Sequence, residues 1–138
     1  ATLDGNPIDV YNHGKMERDF TYVTDLVRAI RLLVDVPPVE PSDPAHIEEG
    51  DSLSPAAPYR VVNIGNSTKV KLTDFIDEIE AALGVPVTRN YMDMQKGDVP
   101  ATWANAELLK KLTGYQPTTD VKAGVKEFIN WYRDYYQA

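Results

Sequence analysis

Apolar residues recur at helical spacing in four stretches of the chain and run almost unbroken in several shorter ones. Leu26, Val27, Ile30, Leu33 and Val34 share one face of a predicted helix, which Thr24 or Asp25 can cap and which Pro37-Pro38 stop near Asp35. Phe75, Ile76, Ile79, Ala82 and Leu83 define a second, opened by Thr73 and closed by Gly84. Asp74, Asp77 and Glu78 in its first turns complement the positive end of the helix dipole. Asn105 begins a short third helix through Leu108, Leu109 and Leu112 to Gly114. Thr118 or Thr119 opens the fourth, with Val121, Val125, Phe128, Ile129, Tyr132 and Tyr136 in helical register.

The shorter runs predict strands at residues 8–11, 60–65 and 87–91, with Phe20-Thr21-Tyr22-Val23 a further strand-like run against Arg18-Asp19. Residues 60–65 are apolar on both faces, as a strand inside a sheet would be. Residues 36–58 hold six of the ten prolines, several acids and almost no large apolar side chain, so they form a loop by composition. Alternating strands and helices of this number predict a small mixed α/β unit without internal repeats, one domain over residues 1–138.

Composition narrows the classes of partner. With 14 basic against 21 acidic residues the net charge is -7, which argues against nucleic acid and anionic membranes. No cysteine is present, so thiolate metal sites and a cysteine nucleophile are excluded, and a cytoplasmic protein is expected. No apolar run nears the roughly 20 residues a membrane span requires.

Catalytic patterns are sparse. Neither His13 nor His46 has a companion in a triad or paired-histidine motif, and no glycine-rich nucleotide fingerprint follows a strand. Two stretches can bind a ligand. Val10-Tyr11 ends a strand and Arg18 follows a glycine-bearing turn, offering an aromatic face for a base and a planar fork for phosphate. The alternative for Arg18 is a surface ion pair with Asp19 or another acid. In the second stretch, 94–103, Gly97 permits close backbone approach, and Asp98 with Gln95 can receive the hydroxyls of a ribose. There the alternative is a loop in which Asp98 caps backbone amides and Trp103 fills core.

The run GKMERDFTYVTDL resembles the R-D-[FY]-x-x-V-x-D signature in the C-terminal half of nucleotide-sugar epimerases of the extended short-chain dehydrogenase/reductase family. VVNIGN, MQKGDVPATWAN and KEFINWYRDYY follow in the family's order, and the likeness covers the whole chain. It is greatest to epimerases of UDP-glucuronate of the capsular-polysaccharide type. The resemblance implies a substrate-binding part without its Rossmann domain. In it Arg18 binds the UDP diphosphate, Val10 and Tyr11 line the uracil pocket, and Gln95 with Asp98 holds the ribose. Asp19 and Asp25 are expected to organise strand and helix instead. Related galactose-type enzymes carry an arginine where this chain has Gln95, and Thr24, Lys96 and the Trp103-Ala104-Asn105 run also depart from the usual residues.

The resemblance also implies that NAD and the catalytic Tyr-x-x-x-Lys pair belong to an N-terminal Rossmann domain. None is assigned within this chain, which is therefore expected to be inactive alone. Its expected partners are a UDP-sugar, that missing domain, and itself through the apolar surface left bare. The competing readings are a dehydratase or decarboxylase of the same superfamily, and a non-catalytic binding module that keeps the fold.

Overall fold

The computed structural model describes residues 1–137. In chain order they form β1 (Ile8–Val10), β2 (Glu17–Asp19), α1 (Val23–Val34), β3 (Lys69–Lys71), α2 (Leu72–Leu83), β4 (Arg89–Tyr91), β5 (Ala101–Thr102), α3 (Glu107–Thr113) and α4 (Val121–Tyr136). The chain is a small mixed α/β structure, as its pattern predicts, with its contacts grouped into two compact units.

The first unit holds Ala1–Phe20, Thr68–Trp103 and the chain from Thr119 on. There β1 pairs in parallel with β4, Val10 opposite Tyr91. β2 is central in a three-stranded sheet, antiparallel to β3 and parallel to β5, with Glu17 opposite both Lys71 and Ala101. Val10, Ile76 and Val87 are buried together, with Ile8, Leu72 and Ile79 packed around them. α4 lies along α2, buries Val125 and Ile129, and donates from Arg133 to the Leu83 carbonyl that ends α2. Its Phe128, Trp131, Tyr135 and Tyr136 remain exposed and touch one another ring to ring.

The strand expected at residues 20–23 is not there: β2 lies three residues earlier, on Glu17-Arg18-Asp19. Three charged residues are poor strand formers by propensity, but partners on both edges satisfy their backbone groups and override it. Phe20 instead stacks flat on Phe75, ring centroids 4.1 Å apart. Three expected caps are also corrected. α1 and α2 begin without a side-chain cap, α2 at Leu72 ahead of Thr73, and α4 is capped by Asp120, whose carboxylate accepts from the Ala123 amide at 2.7 Å. Asn105 does accept from the Glu107 amide at the head of α3.

The second unit comprises Thr21–Ser67 and Ala104–Thr118. Ala29 of α1 and Ala106 and Leu109 at α3 are buried together, against Leu33, Val62, Ile64 and Tyr115. Most of the face predicted to be covered is not. Val27, Ile30 and Val34 are 58%, 50% and 67% exposed. Residues 60–65 form no strand, because no other segment among the described residues pairs with them. Val62 and Ile64 still pack inward while Val61 stays exposed. Asp25 accepts from the Tyr115 hydroxyl at 2.9 Å and from the Thr118 amide at 3.2 Å, which is the organising role expected of it.

The loop at 36–58 contains one 3-10 turn, Pro44–His46. It is tied down by Arg60, whose Nε and Nη2 donate to the two oxygens of Asp51 at 2.8 and 2.9 Å. Ser52 with the Val61 backbone and Glu48 with Lys111 add further ties. Among the described residues, no helix is long and apolar enough to cross a membrane.

Candidate nucleotide-binding site

Arg18 projects from the central strand of its sheet, and its guanidinium is held on three sides. Nη1 donates to the Glu17 carbonyl at 2.9 Å and to the Pro100 carbonyl at 3.4 Å, and Nη2 donates to Asp98 Oδ1 at 2.9 Å. The two expected ligand contacts thus touch each other. Asp98 is the "other acid" of the ion-pair alternative for Arg18, and no choice between clamp and pair is forced, because the pairing is incomplete. A guanidinium has five N–H donors, so two remain for a ligand.

The loop bearing Asp98 is fixed by a turn in which its amide donates to the Gln95 carbonyl at 3.2 Å. Gly97 sits inside that turn at φ 87 with open space on its Cβ side, so its requirement is conformational and not steric. The same Oδ1 that receives Arg18 also accepts from the Val99 amide at 2.8 Å. This is the backbone-capping part of the bland alternative, and it coexists with the ion pair. Trp103 does not fill core: it is 58% exposed, with the Lys69 ammonium 4.3 Å from its ring centre.

Val10 requires a correction. It is fully buried between Ile76 and Val87, and its carbonyl accepts from the Met92 amide, so it offers no surface to a base. Tyr11 follows it, half-buried, at the end of β1 beside Tyr91, from which the loop carrying Gln95 and Asp98 sets out. Strand pairing brings Tyr11 to the same end of the β1–β4 pair as that loop.

Between β1 and β2 the chain turns through Asn12, His13 and Gly14, all left-handed at φ 49, 50 and 78. Gly14 is obligatory there on two grounds, since a Cβ would also lie 2.6 Å from the Thr73 methyl. His13 is fixed by its amide to the Met92 carbonyl and by its ring to Asp93 at 3.1 Å. A Tyr-x-x-x-Lys spacing, expected nowhere in this chain, does occur at Tyr11 and Lys15, on either side of this turn.

An open cavity of about 390 Å³ lies against His13, Gly14, Lys15, Glu17 and Lys71. Arg18, Asp98 and Gln95 do not line it. A dinucleotide cofactor does not fit the described residues. Its pyrophosphate needs a glycine-rich passage from strand into helix, and the passages from β2 to α1, β3 to α2 and β5 to α3 contain no glycine. Among the described residues, no group of three or more His, Asp or Glu side chains can hold a metal ion.

Residues 3–128 match the family model described as GDP-mannose 4,6 dehydratase. The chain belongs to that family. Within the GDP-mannose 4,6 dehydratase family, it is 46% identical over 137 residues to a probable UDP-glucuronate 4-epimerase from Rhizobium meliloti, covering 99% of this chain and 40% of that protein. It is 45% identical to protein CapI of Staphylococcus aureus, with 99% of this chain and 41% of that protein covered. Among solved structures it is similar to MoeE5 in complex with UDP-glucuronic acid and NAD, with a TM-score of 0.75 at 27% identity, covering 98% of this chain and 39% of that one. The chain thus spans about 40% of the length of these curated relatives, and it matches the C-terminal part of epimerase and dehydratase structures.

Proposed function

We propose that this chain is the UDP-binding part of an NAD-dependent epimerase that interconverts UDP-glucuronate and UDP-galacturonate in the cytoplasm. Arg18 takes the diphosphate through its two remaining N–H donors, Asp98 and Gln95 take the ribose, and Tyr11 presents its ring to the uracil. The observation that carries the reading is the incomplete Arg18–Asp98 pair, in a family member whose relatives include a probable UDP-glucuronate epimerase. Oxidation and re-reduction at sugar C4 belong to NAD held by another part of the whole protein. The residues of this chain bind and orient the nucleotide end, and no proton transfer is assigned to them.

Titration of the chain with UDP tests this. Arg18→Ala is expected to weaken binding at least tenfold, as loss of a charge-assisted phosphate contact does. Equal affinity for the two proteins would sink the assignment.

The exposed Val27, Ile30 and Val34 of α1 fit a surface that packs against the rest of a longer protein, in line with the coverage of the relatives. Self-association of the isolated 138 residues through this face is expected, and sedimentation equilibrium showing only monomer at high concentration would count against it. A second reading, a nucleotide-sugar dehydratase, is favoured by the family model's description and by the likeness in fold to a dTDP-glucose 4,6-dehydratase. An assay of the whole protein with UDP-glucuronate separates the two, since only the epimerase returns a UDP-uronate.

A further inference from the structure

We propose that the open cavity beside the turn at residues 12–14 is a second anion site, which takes a dianionic phosphate group between Lys15 and Lys71. The inference goes beyond the nucleotide-binding reading and does not rest on it. Successive strand residues point to opposite faces, so Glu17, which lines the cavity, and Arg18, which does not, leave β2 on opposite sides. Lys71 and Ala101, the partners of Glu17 in register, line the cavity with it.

What marks the cavity is unopposed positive charge in a chain that carries -7 overall and repels anions in general. Two of its charged lining groups are engaged elsewhere. His13 Nε2 meets Asp93 Oδ1 at 3.1 Å, and Glu17 leans to Lys69 at 3.7 Å although Lys71 stands opposite it in the ladder. The ammonium groups of Lys15 and Lys71 have no hydrogen-bond or ion-pair partner among the described residues. Two uncompensated positive charges on one cavity match a phosphate group, which carries about -1.5 to -2 at neutral pH.

Both lysines are presented by fixed backbone. The Lys15 amide donates to the Asn12 carbonyl at 2.9 Å, closing the turn that Gly14 makes possible, and the Leu72 amide after Lys71 donates to the Met16 carbonyl at 2.8 Å. Asn12 and His13 are left-handed without being glycine, a cost of the kind that collects at functional sites. Helix α2 starts beside Lys71 without a side-chain cap and adds the positive end of its dipole. Lysine supplies a compact point charge with rotatable donors, which suits phosphate where no planar fork is built. The rest of the wall includes Gly14, Pro100 and Ala101, and about 390 Å³ leaves room for a small organic body on the phosphate.

Inorganic phosphate and glycerol phosphate are titrated, at neutral pH and constant ionic strength, into the ¹⁵N-labelled chain while amide shifts are followed. Saturable shifts are expected at Gly14, Lys15, Lys71 and Thr73. Lys15→Gln and Lys71→Gln should each weaken binding about fivefold, and the double variant should abolish it. Neither ammonium has a partner to lose, and the amide spectrum away from the cavity verifies the fold of each variant. Lys122→Gln on α4 removes the same charge elsewhere and should leave the affinity unchanged. Tighter binding of glycerol phosphate would make the ligand a phosphomonoester, and tighter binding of inorganic phosphate would make it the free anion; either supports the site. Shifts that never saturate, shifts confined to Asp98 and Val99, or equal weakening by Lys122→Gln would each overturn it.

Discussion

Two arginine–aspartate pairs in this chain differ in how fully they close. Arg60 and Asp51 close on each other, with two parallel N–H···O bonds and side chains 14% and 16% exposed. Arg18 and Asp98 meet at one oxygen only, are 30% and 34% exposed, and leave donors on one partner and an acceptor on the other. Both oxygens of Asp51 are taken, and the closed pair ties down residues 36–58. In the open pair only one oxygen of Asp98 accepts.

The largest expected effect breaks the closed pair. Arg60→Ala leaves Asp51 charged, mostly enclosed and without its main donor, which should cost about 3 kcal/mol in urea unfolding. Amide protection around residues 51–61 should fall with it. Equal destabilisation by Arg18→Ala would erase the distinction, for the open pair should be worth less than about 1 kcal/mol to the fold.

Acid supplies a smaller test. The side-chain hydrogen bond from Arg60 is the main cause holding the Asp51 carboxyl below its ordinary value, and the Leu53 amide adds to it. Because the folded value is depressed, the stability it contributes is present above the unfolded carboxylate range of about 4 and is lost as pH falls through the folded value. Asp51→Asn should flatten that part of the stability profile, and an unaltered slope would refute the linkage.

The smallest effect lies at the alkaline end. Burial first, then the hydrogen bond to Asp25, raises the Tyr115 hydroxyl. A raised folded value gives stability that is complete below the unfolded value of about 10 and fades as pH rises toward the folded one. Tyr115→Phe should remove this alkaline decline, readable by tyrosine absorbance and thermal melts between pH 9 and 11.

Helices were legible where period and punctuation coincide. The α2 face ends at Gly84 as the pattern requires, and α3, where Asn105 accepts from the Glu107 amide at its head, ends at Gly114. Strands were legible only in part: β1 and β4 fall within the expected 8–11 and 87–91, whereas Glu17-Arg18-Asp19 and Lys69-Val70-Lys71 carry no apolar run, and each is a strand because distant backbone completes its hydrogen bonds. Residues 60–65 fail for the opposite reason: their apolar run suits a sheet, but no edge is offered to them.

The site shared this fate. Arg18, Gln95 and Asp98 stand out through the family signature, but their contact depends on β2 beside β5, which nothing local announces. Val10 misled because a residue beside an aromatic at a strand end can be a core anchor.

The pairing of β2 with β5 has a consequence in time. Arg18 and Asp98 are 80 residues apart in sequence, and β1 reaches β4 across a comparable span. Contacts that close so long a loop give back little until most of the entropy of closure has been spent, so they form late and slowly. Helix α2 needs no such closure and is available to nucleate early. During synthesis the Arg18–Asp98 pair cannot form until the ribosome has released the chain well beyond Thr102, and until then the chain offers a helix and loose strands.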